Sequence, residues 1–207
     1  MAYPNGQEIW DYLMSYFNNE YGVAGLMGNL YAESGLLPFR LQGDYDSAHN
    51  YPVSHEYSAD VNDGTISEST FVNDSKGYGL AQWTYYTRKQ ELYNFTKGQG
   101  YGVDNLDRQL EFLVLEIVRD YPNVKEVLLH ATSVRQASDK VLHDYENPAV
   151  QTEAVEVERA NYGIDIYNTY SGSPPIPPIP PPYPSRSGKM PLYLYTTKRY
   201  RQKKGIL

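Results

Sequence analysis

Glu33 is the first residue in this chain whose placement suits acid–base chemistry. It ends a run of apolar and small residues (Val23, Ala24, Leu26, Met27, Leu30, Ala32) and is followed at once by Ser34-Gly35, where the chain turns. A carboxyl at a helix C-terminus meets partial negative charge, which opposes ionisation by about 0.3–1 kcal/mol. If Met27, Leu30 and their neighbours also strip water from the side chain, desolvation adds to the dipole and favours the protonated form that a general acid needs. The same spacing also fits a glutamate that faces water at a frayed helix end. A second stretch, Lys76-Gly77-Tyr78-Gly79-Leu80-Ala81-Gln82-Trp83-Thr84, has the make-up of a ligand wall. Two glycines permit close approach to the backbone. An amide beside an indole suits a sugar, whose ring stacks on the indole while the amide bonds a hydroxyl or N-acetyl group. A buried turn with Trp83 in the core fits the same residues.

Other chemistries lack their residues. There is no cysteine, which excludes disulfides, thiolate metal sites and cysteine nucleophiles. The four histidines (His49, His55, His130, His143) are scattered, and no HExxH, GxSxG or GxxxxGK[ST] pattern occurs. Asp60 to Gly64 (DVNDG) resembles a calcium loop but is one residue short of the ligand spacing, so it reads as a turn. No metal or other cofactor is expected. Eleven of the 18 Lys and Arg and all 25 Asp and Glu precede residue 171, which leaves a body near −14 and a tail near +7. So acidic a body disfavours nucleic acid as its ligand.

The elements that must position these groups read as mainly helical. Asn5 is placed to cap a first helix with Glu8 at its third position, and Ile9, Trp10, Leu13, Met14 and Phe17 form its apolar stripe before Gly22 ends it. A second helix runs from Val23 to Glu33, and its Gly25 and Gly28 each cost about 1 kcal/mol of helix propensity. It repays that cost only where it is tightly buried. From Leu37 to Lys76 the periodicity fails. Asp63-Gly64 suggests a turn between short strands near Tyr57 to Val61 and Thr65 to Val72, making a small β lobe. Helical pattern returns after Trp83, with Thr84 as a candidate cap, then from Asp104 to Pro122, around Val124 to His130 and Val134 to Tyr145, and from Pro148 to Tyr170.

Nine of the 14 prolines lie between Pro174 and Pro191. Residues 171–188 therefore read as an extended, semi-rigid spacer, and residues 189–207 as a short basic, tyrosine-rich tail suited to polyanions or to a solvated end. Met1 to Leu13 has no secretion-signal pattern. Gly22 to Ala32, the longest weakly polar run, is shorter than the roughly 20 residues that a membrane span needs.

Gly28-Asn29-Leu30-Tyr31-Ala32-Glu33-Ser34-Gly35-Leu36, together with the later GYGLAQWT, resembles the signature pair of the phage tail lysozyme family, which shares the lysozyme-like superfamily with goose-type lysozymes and lytic transglycosylases. The likeness continues in order through Phe71 to Ser75, Gln109 to Leu113, Ala131 to Arg135 and Tyr145 to Ala149, and spans about residues 7 to 170. It implies an α+β, mainly helical lysozyme-like fold with a small β lobe over residues 1–170. The implied activity is cleavage of the β-1,4 bond between N-acetylmuramic acid and N-acetylglucosamine in bacterial peptidoglycan. Glu33 inherits the general-acid role, Gln82 matches a glutamine that lines the cleft, and Tyr145-Glu146 falls where related enzymes place a late cleft motif. Tyr78 and Trp83 complete the expected sugar wall. Family members often carry a further wall-cutting domain after the linker; here the residues after it are too few for one.

A second carboxylate, if used to activate water, comes from Asp44, Asp46, Asp60 or Asp63, with Asp46 put forward. A separation of about 6.5–9.5 Å from Glu33 means inversion and about 5–5.5 Å means retention. With no such partner, Glu33 acts as acid and then as base on the muramic 6-hydroxyl, giving an anhydro product as lytic transglycosylases do. A tail-tip protein that binds glycan without cutting it is the alternative of a different class. The expected setting is the phage virion tail or the host wall, with phage tail proteins as further partners through the C-terminal tail and with no membrane insertion.

Overall fold

The computed structural model describes residues 3–43 and 54–182. Among these, the elements are α1 (Gly6–Phe17), α2 (Glu20–Ser34), α3 (Ser54–Asp63), α4 (Glu68–Asn73), α5 (Tyr86–Lys97), α6 (Leu106–Asp120), α7 (Pro122–His130), α8 (Val134–Lys140), a π-helical segment (Val141–Glu146) and α9 (Glu153–Tyr170). The fold is mainly helical and is organised around α2, whose Val23, Ala24, Leu26, Met27 and Leu30 are all fully buried. Its principal neighbours are α9 and α8.

The small residues of α2 allow this approach. A Cβ on Gly28 would lie 2.5 Å from the Gly163 backbone nitrogen and 2.6 Å from the Arg159 carbonyl oxygen, so α2 and α9 meet backbone to backbone. Gly25 sits equally tightly on Ala137 and Ser138 of α8. Asn29 fills the remaining polar gap, its Nδ2 donating to the Gly25 carbonyl at 3.0 Å and to the Ser138 carbonyl at 3.1 Å. Gly35, at φ 67°, then ends α2, its N–H donating to the Tyr31 carbonyl at 2.8 Å.

Three sequence expectations are corrected. Asn5 adopts φ 54° and makes no cap; its amide instead donates to the Leu36 carbonyl at 2.9 Å. The first helix ends at Asn18 (φ 49°) rather than at Gly22, because Asn19 opens α2 by accepting from Tyr21 N and Gly22 N. Where the β lobe's short strands were expected, the chain forms α3 and α4; residues 44–53 of that segment lie outside the described residues. Ser58 and Val61 turn inward from α3, Phe71 and Val72 from α4, and Ser67 caps α4 by accepting from Thr70 N. Asp63-Gly64 is thus a helix end, with Asp63 accepting from Thr65 N at 2.8 Å and Gly64 at φ 89°. Strand-like pairing among the described residues is confined to the isolated bridges Leu41–Tyr78 and Tyr78–Trp83. None of the described helices is long and apolar enough to cross a membrane.

The proline-rich segment runs back along α9. Between Pro174 and Pro182 only Ile176 and Ile179 possess a backbone N–H. Ile176 N donates to Asn168 Oδ1 at 2.8 Å and Ile179 N to Asn161 Oδ1 at 2.7 Å. Each asparagine returns Nδ2–H to the carbonyl of the same isoleucine, at 2.9 Å. A seven-residue step on a helix rises about 10.5 Å, and a three-residue step of extended polyproline about 9.3 Å, so the two repeats are in register. The described part of the expected spacer is therefore strapped to the domain.

Candidate active site

The end of α2, the loop before α5 and the π-helical segment enclose a cleft of about 820 Å³ whose lining includes Glu33, Gln82, Tyr85, Arg88, Tyr145 and Glu146. Glu33 sits in the last turn of α2, as its spacing predicts. Its neighbour is not the wholly apolar niche expected there. Arg159 of α9 places Nη2 at 2.5 Å from Glu33 Oε1, with the two side chains only 11% and 21% exposed. Arg159 Nη1 also donates to Asn29 Oδ1 at 3.3 Å. The close approach of α2 and α9 holds this pair together.

Glu146 is the last residue of the π-helical segment, before Asn147 at φ 44°. Although the residue as a whole is only partly buried, its Oε1 is sealed from solvent and has no hydrogen-bond partner. Removal from water, and then the charge of Glu33, push its pKa from 4.5 to about 8. Arg88 and Arg159 pull the other way, and Glu116 adds to the rise. Two carboxyls therefore face one cleft in unlike settings, one bound to a guanidinium and one left without a partner.

Beneath the cleft, Glu116 of α6 is fully buried and accepts four hydrogen bonds: from Trp83 Nε1 at 3.0 Å, Arg88 Nε at 2.6 Å, Arg88 Nη2 at 2.8 Å and Tyr145 Oη at 2.7 Å. The Arg88 guanidinium also lies over the Tyr145 ring, 4.9 Å from its centroid. Burial and the Glu116 charge push the Tyr145 phenol well above its usual pKa, so it remains a donor to Glu116.

The expected sugar wall divides. Gln82 (φ 45°) and Tyr145 line the cleft, and Gln82 Nε2 is anchored on the Arg40 and Gly79 carbonyls at 3.1 and 3.0 Å. Trp83 and Tyr78 do not line it: both are fully buried, Trp83 against Phe112 and bonded to Glu116, Tyr78 bonded through its hydroxyl to Ser58 at 2.7 Å. No indole is left on the surface there for a pyranose to stack on. The close approach permitted by Gly79 is made by Gln109, whose Oε1 would lie 2.6 Å from a Cβ and accepts from Leu80 N at 2.9 Å. Asp44 and Asp46 lie outside the described residues.

A family model described as phage tail lysozyme matches residues 4–170. The chain belongs to the phage tail lysozyme family. Membership makes its function lysozyme-like and peptidoglycan-lytic, in the setting of a phage tail. The match ends at Tyr170, the last residue of α9, so the strap follows the family domain.

Four cleft features of this phage tail lysozyme escape local sequence reading: Arg159, Arg88, Tyr85 and Glu116. Glu116 had a signal, because it and Gln109 are seven residues apart among the apolar residues of α6, which marks two buried polar groups on one helix face. Tyr85, 62% exposed at the cleft rim, is available for the sugar contact that was expected of Trp83. Arg88 and Arg159 carry no local mark, since their partners are 28 and 126 residues away.

Proposed function

We propose that the protein is a muramidase that cleaves the β-1,4 bond between N-acetylmuramic acid and N-acetylglucosamine, with Glu33 delivering the proton to the glycosidic oxygen. The observation that carries this reading is the meeting of Glu33 and Glu146, in unlike settings, within one cleft large enough for saccharide units. As the proton moves to the leaving oxygen, positive charge develops at the anomeric carbon of the muramic acid, and the Glu33 carboxylate left behind stabilises it. Glu33 Oε1 accepts from Arg159, which fixes the orientation of the carboxyl in the cleft. Gln82, Tyr85 and Tyr145 are the proposed contacts to the glycan. Trp83 and Tyr78 support them from below.

Digestion of purified peptidoglycan tests the reading. A muramidase releases soluble muropeptides with hydrolysed reducing ends. An anhydro end, one water lighter, identifies a transglycosylase instead, and binding to intact wall without release identifies a glycan-binding tail protein. The proposed place of action is the host wall, reached from the phage tail.

A further inference from the structure

We propose that His143 is a positioning residue: as an imidazolium it clasps residues 147–152 to the rim of the active-site cleft, and it releases them when the ring loses its proton. The inference rests on the muramidase reading only for its effect on substrate binding.

Residues 147–152 join the π-helical segment to α9, and Asn147 and Pro148 line the cleft beside Glu146. Packing does little to hold this loop, since every residue from Ala149 to Thr152 is exposed. Gln151 ties it together instead: its Nε2 donates to Asn147 Oδ1 at 2.8 Å and to the Pro148 carbonyl at 3.1 Å. A backbone carbonyl only accepts, so the Pro148 contact fixes which end of the Gln151 amide is which. Gln151 Oε1 is thereby turned to His143 Nδ1, 2.9 Å away. The other ring nitrogen, Nε2, lies 3.0 Å from Glu156 Oε1 of α9. Glu156 is held in place by Arg135 of α8, whose Nη2 donates to Glu156 Oε2 at 2.6 Å while its Nε donates to Asp139 Oδ2 at 2.6 Å.

Both nitrogens of His143 therefore face acceptors. A neutral imidazole has one N–H and one lone pair, so either tautomer sets a lone pair against an oxygen and forfeits one of the two bonds. Only the imidazolium donates to both, and charge-assisted bonds of this kind are the stronger ones. The charged surroundings favour the same state. Glu156 of α9 and Asp139 of α8 both act on the ring, and the one cation among them, Arg135, is already bonded to both. Asp144, beside His143 in the chain, pairs with Lys140, while Asp120 and Tyr121 share a shallow pocket with the ring, Asp120 being paired with Arg119. The Gln151 contact, and then Glu156, hold the His143 pKa above its ordinary 6.5, against the opposing effect of partial burial. A group whose pKa is raised on folding contributes in full below its unfolded value, and the contribution is lost as pH rises through the folded one. The clasp is thus closed on the acid side and opens on the alkaline side.

The test has two arms on the full chain. In the first, nitrogen-15 NMR follows the His143 ring and the backbone amides of Ala149 to Gln151. Both ring nitrogens should carry protons at about pH 5.5 and lose one above the ordinary histidine range, and the loop order parameters should fall from about 0.85 to below about 0.6 over the same interval. His143→Arg, a donor-only cation at every pH, should keep the loop ordered at about pH 9, and His143→Gln should leave its order independent of pH. In the second arm, wild type and His143→Gln digest peptidoglycan at both pH values. The variant's KM should be at least about threefold higher at the acid value and equal at the alkaline one, with kcat little changed. Comparing the two proteins at each pH cancels titrations that they share. A His143 ring that titrates at or below its ordinary value, a loop whose order does not follow that titration, or a KM ratio that is the same at both pH values overturns the proposal. A wild-type protein that releases no muropeptide overturns the muramidase reading instead, and the NMR arm still decides whether His143 holds the loop.

Discussion

Arg159 and Glu33 form an ion pair of 2.5 Å between α9 and α2, two helices whose backbones touch at Gly163 and Gly28. The catalytic carboxyl proposed here is therefore positioned by helix packing: the guanidinium reaches Glu33 because no side chain separates the two helices. Gly28→Ala places a methyl 2.5 Å from the Gly163 nitrogen and forces the helices apart. The expected cost is about 1–3 kcal/mol or more, measured by urea unfolding, together with a loss of wall lysis greater than the loss of folded protein.

Glu116 is predicted to hold the floor of the cleft. Glu116→Ala leaves the Arg88 guanidinium without its partner and takes an acceptor from both Trp83 and Tyr145. Breaking a buried pair costs about 3–5 kcal/mol, and the residual exposure of Arg88 puts this case toward the low end. Denaturation of the variant against Glu116→Gln, which keeps one acceptor oxygen, checks the ranking: alanine should be the less stable of the two.

Glu146 also sets a pH dependence of stability. Its pKa is raised from 4.5 to about 8 in the folded protein, so between those values the folded state holds a proton that the unfolded state has released. Stability must then fall as pH rises through this window and level off above it. Thermal midpoints between pH 5 and pH 8.5 should show the fall, and Glu146→Gln should flatten it and be the more stable protein at the alkaline end.

The strap on α9 is predicted to be part of the folded domain. Asn161→Ala with Asn168→Ala removes four hydrogen bonds, each worth about 1 kcal/mol before the ordering cost of the segment is subtracted. Amide exchange at Ile176 and Ile179 reports directly. Both should be protected in the wild type and should exchange at free-peptide rates in the double variant.

How far the fold and site were legible depends on the range of the interactions. Glu33 at a helix end followed from its apolar run and from Ser34-Gly35, all local features. The helices from α5 to α9 followed from apolar spacing and proline positions. The break between α1 and α2 was misplaced because Asn18 takes the left-handed conformation in place of glycine. The β lobe was misread because a polar, turn-rich composition conceals short helices that bury only two or three side chains each, such as Phe71 and Val72 on α4. Trp83 beside Gln82 was legible as a pair, but which of the two faces solvent depends on Glu116, 33 residues away. The Glu33–Arg159 pair spans 126 residues and exists only once α2 has packed on α9.

The most direct measurement is muropeptide release from purified peptidoglycan by the wild type and by Glu33→Gln, with folding of both confirmed by circular dichroism. The wild type should release soluble fragments with hydrolysed muramic acid ends, and the variant should stay folded while release falls at least about 100-fold. A folded Glu33→Gln protein that releases muropeptides at near wild-type rate would contradict the account.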